Sequence, residues 1–78
     1  MNELELKRVI AAVLDVPPES IDETTSVDTV EEWTSLAQLN LILALEEEFG
    51  IEIPDEEAAD LTSYPLIRLV VQEQLAAS

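Results

Sequence analysis

The sequence predicts an all-α fold, a four-helix bundle with a long first loop and a short third helix. Stretches with apolar residues at helical spacing alternate with stretches rich in Pro, Ser, Thr and Asp, and the chain has a single Gly. Its 78 residues, of which 47% are hydrophobic, are enough for one hydrophobic core. We therefore expect a single domain over residues 1–78.

The first helix is predicted by an apolar face with the spacing i, i+3, i+4, i+7 and i+8. The residues on this face are Leu6, Val9, Ile10, Val13 and Leu14. The helix should end at Asp15 or Val16, because Pro17 and Pro18 cannot continue it.

A long polar loop follows the first helix and runs through Thr34. It is rich in Ser, Thr, Asp and Glu, and its apolar residues are isolated. A loop of this length in so small a domain needs attachment to the core. We expect Ile21 and Val27 to provide that attachment.

The second helix is predicted from Ser35 to Phe49. Ser35 and Gln38 have the spacing of a capping box, and Thr34 is an alternative N-cap one residue earlier. Gly50 is suited to the left-handed position that follows the last turn of a helix.

This second helix carries two apolar stripes that lie more than about 100° apart around its axis. The stripe expected to face the core consists of Leu41, Ile42, Leu45 and Phe49. The second stripe consists of Leu36, Leu39 and Leu43, and its edges carry Asn40, Glu46 and Glu47. Either the long loop covers the second stripe through Val27 and Val30, or the stripe is an open docking strip with an acidic rim.

A short extended link and a short third helix should follow. Ile51 and Ile53 place two apolar side chains on one side of the link. Pro54 or Asp55 can open the third helix, which should run to Leu61.

The last helix should begin after Ser63, with Ser63 as its N-cap and Pro65 in its first turn. Its apolar run is β-branched enough to suit a strand, but its length and its start favour a helix. The side chains expected to point inward are Ile67, Val70 and Val71.

Net charge limits the classes of partner. Eighteen Asp and Glu residues against three Lys and Arg residues give a formal net charge of -15. Such a field repels nucleic acid phosphates and anionic lipids, and it attracts proteins with basic surfaces. We therefore expect basic protein partners, no nucleic acid partner and no membrane insertion. The N-terminus lacks a secretory pattern, so a cytoplasmic location is expected.

The chain contains no Cys and no His, which removes the usual thiol nucleophile, the imidazole base and the soft metal ligands. Paired carboxylates need a cleft for acid and base catalysis, and a small bundle offers little cleft. Residues 55–60 lack the ligand spacing of a calcium-binding loop. We expect no catalytic residue, no metal site and no enzymatic activity.

Ser35 has the most informative position among the hydroxyl residues. It lies where the acidic loop meets the second helix, and backbone amides at a helix N-terminus favour a bound phosphate. A plain N-cap is the other role that its position suggests. The two roles are compatible if Thr34 caps the helix.

The residues around Ser35 resemble those of the acyl carrier proteins. The stretch Trp33-Thr34-Ser35-Leu36 and the following run Asn40–Pro54 are similar to the family's Asp-Ser-Leu attachment motif and its acidic second helix. The resemblance covers nearly the whole chain. It implies a four-helix carrier domain that receives 4'-phosphopantetheine from coenzyme A on Ser35, beside Thr34 and Leu36. Acyl groups would be carried as thioesters on the terminal thiol of this arm.

The resemblance also implies protein partners. These are a phosphopantetheinyl transferase and acyl-transferring, ligating or condensing enzymes that dock through basic surfaces. The residues expected to contact them are Leu36, Leu39, Leu43, Glu46 and Glu47. Thr34 stands where the family motif has Asp, and this departure bears on the efficiency of modification.

Trp33 before the motif resembles specialised, stand-alone carriers, which favours a monomer that serves a dedicated polyketide, fatty acid or other lipid pathway. Two alternatives remain open at this point. One is an aminoacyl or peptidyl carrier of similar fold. The other is a cofactor-free acidic binding module or inhibitor that docks in basic protein grooves.

Overall fold

The computed structural model describes residues 2–77 and shows four α-helices. Their bounds are α1 Glu3–Leu14, α2 Ser35–Phe49, α3 Asp55–Ala58 and α4 Tyr64–Ala77, and a 3-10 turn occupies Pro18–Ser20. Extended pairing among the described residues is limited to an isolated antiparallel bridge between Ser26 and Ser63. The predicted all-α bundle with a long first loop and a short third helix is confirmed.

Helix α1 begins and ends as its local sequence requires. Asn2 is the N-cap, and its side-chain Oδ1 accepts a hydrogen bond of 2.9 Å from the Leu4 amide. Asp15 adopts the left-handed conformation with φ 58°, which ends the helix at the predicted place before Pro17. The buried residues of the helix are Leu6, Ile10, Ala11 and Leu14, and Val9 and Val13 pack partly buried beside them.

The core lies where α1, α2 and α4 meet. Leu41 and Leu45 of α2 are fully buried, and so are Ile67 and Val71 of α4. The core stripe predicted for α2 is therefore confirmed at Leu41, Ile42 and Leu45, whereas Phe49 is only half-buried against the core. Periodicity missed Tyr64, whose side chain is fully buried at the first position of α4.

The long loop is attached to the core, but not by both of the predicted residues. Ile21 is buried as expected, whereas Val27 keeps 38% of its surface exposed, so that prediction is wrong. Val27 instead holds the loop through its backbone, since its amide donates to the Thr62 carbonyl oxygen at 3.0 Å. Thr25 and Trp33 supply the buried side chains that the prediction had missed.

Helix α3 is shorter than predicted, because it ends at Ala58 and not at Leu61. The amides of Asp60 and Leu61 donate to carbonyls three residues earlier, at 3.0 and 3.2 Å, which tightens the last turn. Leu61 is then buried in the core. Ile51 and Ile53 are also buried, as the sequence predicted for the link before α3.

Helix α4 begins after Ser63, whose Oγ accepts a hydrogen bond of 3.4 Å from the Leu66 amide. This contact agrees with the predicted N-cap. Ile67 and Val71 are buried and Val70 is half-buried, so the inward face of α4 is also as expected.

Candidate functional site at the start of α2

Thr34, and not Ser35, caps α2. Its side-chain Oγ1 accepts from the Ala37 amide at 3.2 Å, and its carbonyl oxygen accepts from the Gln38 amide at 2.8 Å. The capping box predicted for Ser35 and Gln38 is therefore wrong, and the alternative cap is correct. The hydroxyl of Ser35 is not needed for capping, and Ser35 is exposed at the first position of the helix.

Two amides at this helix end have no protein acceptor among residues 2–77. The Thr34 amide donates to the Glu32 carbonyl at 3.0 Å and the Ala37 amide to the cap. The backbone amides of Ser35 and Leu36 are therefore the two without an acceptor, since the first amides of an α-helix have no partner within the helix. Unpaired amides and the positive end of the helix dipole favour a phosphate on the Ser35 hydroxyl.

The side chain of Gln38 joins three parts of the fold. Its Nε2 donates to the carbonyl oxygens of Ala58 at 2.9 Å and Leu61 at 3.1 Å, and its Oε1 accepts from the indole Nε1 of Trp33. Both amide protons and the amide oxygen are thus bonded, which explains why Gln38 is not part of a capping box. The sequence held one signal for this contact: a buried indole N–H needs an acceptor, and Gln38 follows Trp33 by little more than one helical turn.

Two cavities flank Ser35, and Ser35, Gln38 and Ala59 line both. One has a volume of about 340 Å³ and mixed polarity; its other walls are Val27, Trp33, Thr34 and Thr62. The second has a volume of about 250 Å³ between α2 and α3, and its other walls are Leu39, Ile42, Asp55 and Ala58. Val27 thus lines a cavity beside Ser35, and its side chain is not part of the core.

The second apolar stripe of α2 is open to solvent. Leu36, Leu39 and Leu43 are 68%, 57% and 55% exposed. The interpretation in which the loop covers this stripe is therefore wrong. Val30 packs against the core, and Val27 lines the cavity beside Trp33. The three leucines form an exposed strip that begins one residue after Ser35.

The two acidic residues at the edge of this strip differ in their surroundings. Glu47 is exposed, whereas Glu46 is half-buried and its Oε2 accepts a hydrogen bond of 2.9 Å from the Ile53 amide. Glu46 thus fixes the chain after Gly50, whose positive φ of 63° turns it away from α2. This bond gives a structural reason for a carboxylate near a helix C-terminus, where the dipole disfavours it.

Other kinds of site find little support in residues 2–77. No group of three or more His, Cys, Asp or Glu side chains in this part of the chain could hold a metal ion. None of its helices combines the length and the apolar character needed to cross a membrane.

Comparison with known proteins identifies the family. A family model described as a phosphopantetheine attachment site matches residues 5–72. An acyl carrier protein of Thermosynechococcus vestitus is 38% identical over 81 aligned positions, which cover 99% of this chain and 100% of that protein. The chain belongs to the acyl carrier protein family. Its prosthetic group is accordingly 4'-phosphopantetheine, and its role is that of a carrier and not of an enzyme.

Two further acyl carrier proteins agree with this assignment. That of Wolinella succinogenes is 39% identical over 59 residues, which cover 76% of this chain and 78% of that protein. The solution structure of a holo acyl carrier protein from Geobacter metallireducens superposes with a TM-score of 0.85 at 27% identity. The superposition covers 99% of this chain and 90% of that one. The cofactor-free binding module considered above is therefore set aside.

The start of α2 fits the prosthetic group of the acyl carrier proteins. An accessible hydroxyl can form a phosphodiester, two adjacent amides can donate to its oxygens, and the flanking cavities leave room for an arm. Acyl carrier proteins act together with a phosphopantetheinyl transferase and with acyl-handling enzymes.

Proposed function

We propose that Ser35 carries the 4'-phosphopantetheine arm and that the chain delivers acyl thioesters to the enzymes of a specialised lipid or polyketide pathway. One observation carries the assignment to Ser35. The Ser35 hydroxyl is exposed at the start of α2, with two unpaired amides beside it and a cavity on either side. The other two long helices of residues 2–77 begin at Glu3, which has no hydroxyl, and at Tyr64, whose side chain is fully buried.

The chain's own residues have simple roles in the modification. Ser35 Oγ forms the bond to the phosphorus of the arm, the nucleotide part of coenzyme A leaves, and the transferase removes the hydroxyl proton. The amides of Ser35 and Leu36 orient the phosphate. Thr34 holds the helix end in place through its cap. The attached arm supplies the thiol that bears the acyl group, because the chain has no Cys.

Partner docking is assigned to the exposed strip of α2 and its acidic edge. Leu36, Leu39 and Leu43 offer apolar surface, Glu47 adds an exposed carboxylate, and Glu46 adds charge while it holds Ile53. A formal net charge of -15 attracts partners with basic docking surfaces and raises their association rates. We further propose that the chain acts as a single-domain monomer over residues 1–78 in the cytoplasm, without nucleic acid partners.

Incubation with coenzyme A and a broad-specificity phosphopantetheinyl transferase tests the attachment residue. We expect the intact mass to increase by one arm in the wild type and in the control Ser63→Ala, and not to change in Ser35→Ala. Modification that persists in Ser35→Ala would contradict the assignment to Ser35.

The nature of the cargo needs a second experiment. The protein should be isolated from its native source, and the group released from its arm should be identified by mass spectrometry. An acyl group without an amino nitrogen supports the lipid or polyketide assignment. An amino acid or a peptide on the arm would contradict it in favour of an aminoacyl or peptidyl carrier.

A further inference from the structure

We propose that Gln38 is a positioning residue that limits how far the cavity between α2 and α3 opens to the acyl group of the arm. The device is the Gln38 latch, defined as the hydrogen bonds from the Gln38 side chain to Trp33, Ala58 and Leu61. The effect of the latch on the acyl group rests on the proposed attachment at Ser35. The effect of the latch on the position of α3 is independent of that attachment.

Helix α3 is weakly held by its own residues. It has four residues, none of them buried, and Pro54 gives it no side-chain cap at its start. A helix of this length is not stable alone, because few hydrogen bonds offset the cost of fixing its backbone. Its attachments are the partly buried Ala58, which packs against the core, the buried flanking residues Ile53 and Leu61, and the two hydrogen bonds from Gln38 Nε2.

The Gln38 bonds reach the C-terminal end of α3, where the last carbonyl oxygens have no partner within the helix. The Ala58 carbonyl oxygen accepts from Gln38 Nε2 at 2.9 Å and from the Leu61 amide of the following turn at 3.2 Å, so that Gln38 adds a bond that comes from another helix. Its second bond, to Leu61, fixes the turn that follows α3. Trp33 is 5% exposed and donates to Gln38 Oε1, which holds the amide in the orientation needed for both donations.

The position of the latch connects it to the carried group. Gln38 is part of the wall of both cavities that reach Ser35, and α3 forms the wall opposite α2 in the 250 Å³ cavity. A group attached near Ser35 can enter that space only as far as Asp55, Ala58 and Ala59 allow. While Gln38 holds α3 against α2, the cavity suits short acyl groups. When the latch is released, α3 can move away and longer groups can enter.

Two variants separate the components of the latch. Gln38→Leu removes all three hydrogen bonds with a side chain of similar size. Gln38→Glu keeps an acceptor for Trp33 but replaces the donors to Ala58 and Leu61 with an oxygen. Asn40→Leu is the matched control, since Asn40 is an exposed amide residue on the same helix. Circular dichroism should show the same helical content in all of these proteins.

The first readout is amide hydrogen exchange in α3 of the protein before modification. We expect the amides of Ala58 and Ala59, which donate to Pro54 and Asp55, to exchange about tenfold faster in both Gln38 variants. The exchange rates of core amides in α1 should be the same in all the proteins, and Asn40→Leu should leave the exchange rates in α3 unchanged. The emission of Trp33, the only Trp in the chain, should shift in Gln38→Leu and not in Gln38→Glu. Unchanged exchange in α3 would overturn the proposal.

The second readout is the reactivity of the thioester with hydroxylamine after the arm is loaded with straight-chain acyl groups of increasing length. In the wild type, protection should stop increasing once the closed cavity is full. In both Gln38 variants it should continue to increase with longer acyl groups. An identical limiting length in all the proteins would overturn the proposal. Loading that persists in Ser35→Ala would instead refute the attachment site, while the exchange result would still stand.

Discussion

Arg68 and Glu3 join the last helix to the first, with 2.7 Å between Arg68 Nη1 and Glu3 Oε1. The buried Tyr64 donates its hydroxyl to the same Oε1, also at 2.7 Å. Arg68 bonds Glu23 as well, with 2.9 Å between Nη2 and Oε2, so that α1, the long loop and α4 meet at one guanidinium group. This cluster closes the bundle at the side of α4 and fixes the scaffold that presents α2.

The cluster predicts a specific pH dependence of stability. Hydrogen bonds from Tyr64 and Arg68 hold the pKa of Glu3 below its ordinary value of 4.5. The unfolded chain therefore takes up a proton at Glu3 before the folded one does as pH falls. The stability from these contacts is fully present above about pH 4.5 and is lost as pH falls through the folded-state pKa.

Glu3→Gln tests this dependence by chemical denaturation between neutral and acidic pH. The difference in the free energy of unfolding between wild type and Glu3→Gln should be greatest at neutral pH and should shrink in acid. Glu5→Gln, an exposed neighbour in the same first turn, is the control and should give a smaller difference. A difference for Glu3→Gln that does not vary with pH would refute the role of its charge.

The exposed strip of α2 should matter for docking more than for folding. Changing Leu39 or Leu43 to Ser should reduce the free energy of unfolding by less than about 1 kcal/mol, because each side chain is more than half exposed. Leu45→Ala should cost about 2 to 5 kcal/mol, since Leu45 is fully buried. Turnover by an acyl-handling partner should fall in the two Ser variants. Equal destabilisation at Leu43 and Leu45 would disagree with an open strip.

The carboxylates of Glu46 and Glu47 should differ in role, the first contributing to stability and the second to docking. Glu46→Ala removes the acceptor of the Ile53 amide and should lower the free energy of unfolding by about 1 kcal/mol or more. Glu47→Ala should leave stability within about 0.5 kcal/mol of the wild type and should reduce association with a basic partner. Thermal and chemical denaturation measure the first effect, and association rates at low salt measure the second. The assignment fails if the two variants lose equal stability.

Replacing Thr34 with Asp tests what the transferase recognises. Asp is an equally good N-cap, so stability should rise by only about 0.3 to 1 kcal/mol through the helix dipole. One added charge-assisted contact, worth roughly 1.5 to 3 kcal/mol, should raise the efficiency of Ser35 modification about tenfold or more. The gain should shrink as salt is added. Steady-state rates of modification for the wild type and Thr34→Asp at low and high salt test this prediction. A gain that salt does not alter would show that the transferase does not recognise a charge at position 34.

Most of the fold could be predicted from local patterns. Apolar spacing located the buried faces of α1, α2 and α4, and Gly50 marked the end of α2 because its left-handed φ favours glycine. These features depend on residues close in sequence. The exposed stripe could be identified as a second face, but periodicity alone could not decide whether the loop covers it.

The errors occurred where contacts connect distant residues. The sequence predicts Val27 in the core as an isolated apolar residue, yet Val27 is held by one hydrogen bond from its backbone amide to the Thr62 carbonyl oxygen. Gln38 was assigned to a cap by spacing, whereas its partners lie 20 and 23 residues away at Ala58 and Leu61. The buried Tyr64 donates its hydroxyl hydrogen bond to Glu3, 61 residues earlier. Local propensity holds no information about partners so far apart.

Attachment of the arm to Ser35 is tested most directly by fragment-ion mass spectrometry of the protein purified from its native source. We expect one 4'-phosphopantetheine group, in phosphodiester linkage to Ser35, with Thr34 and Ser63 unmodified. An arm on any other hydroxyl residue, or a fully folded native protein that carries no arm, would contradict it.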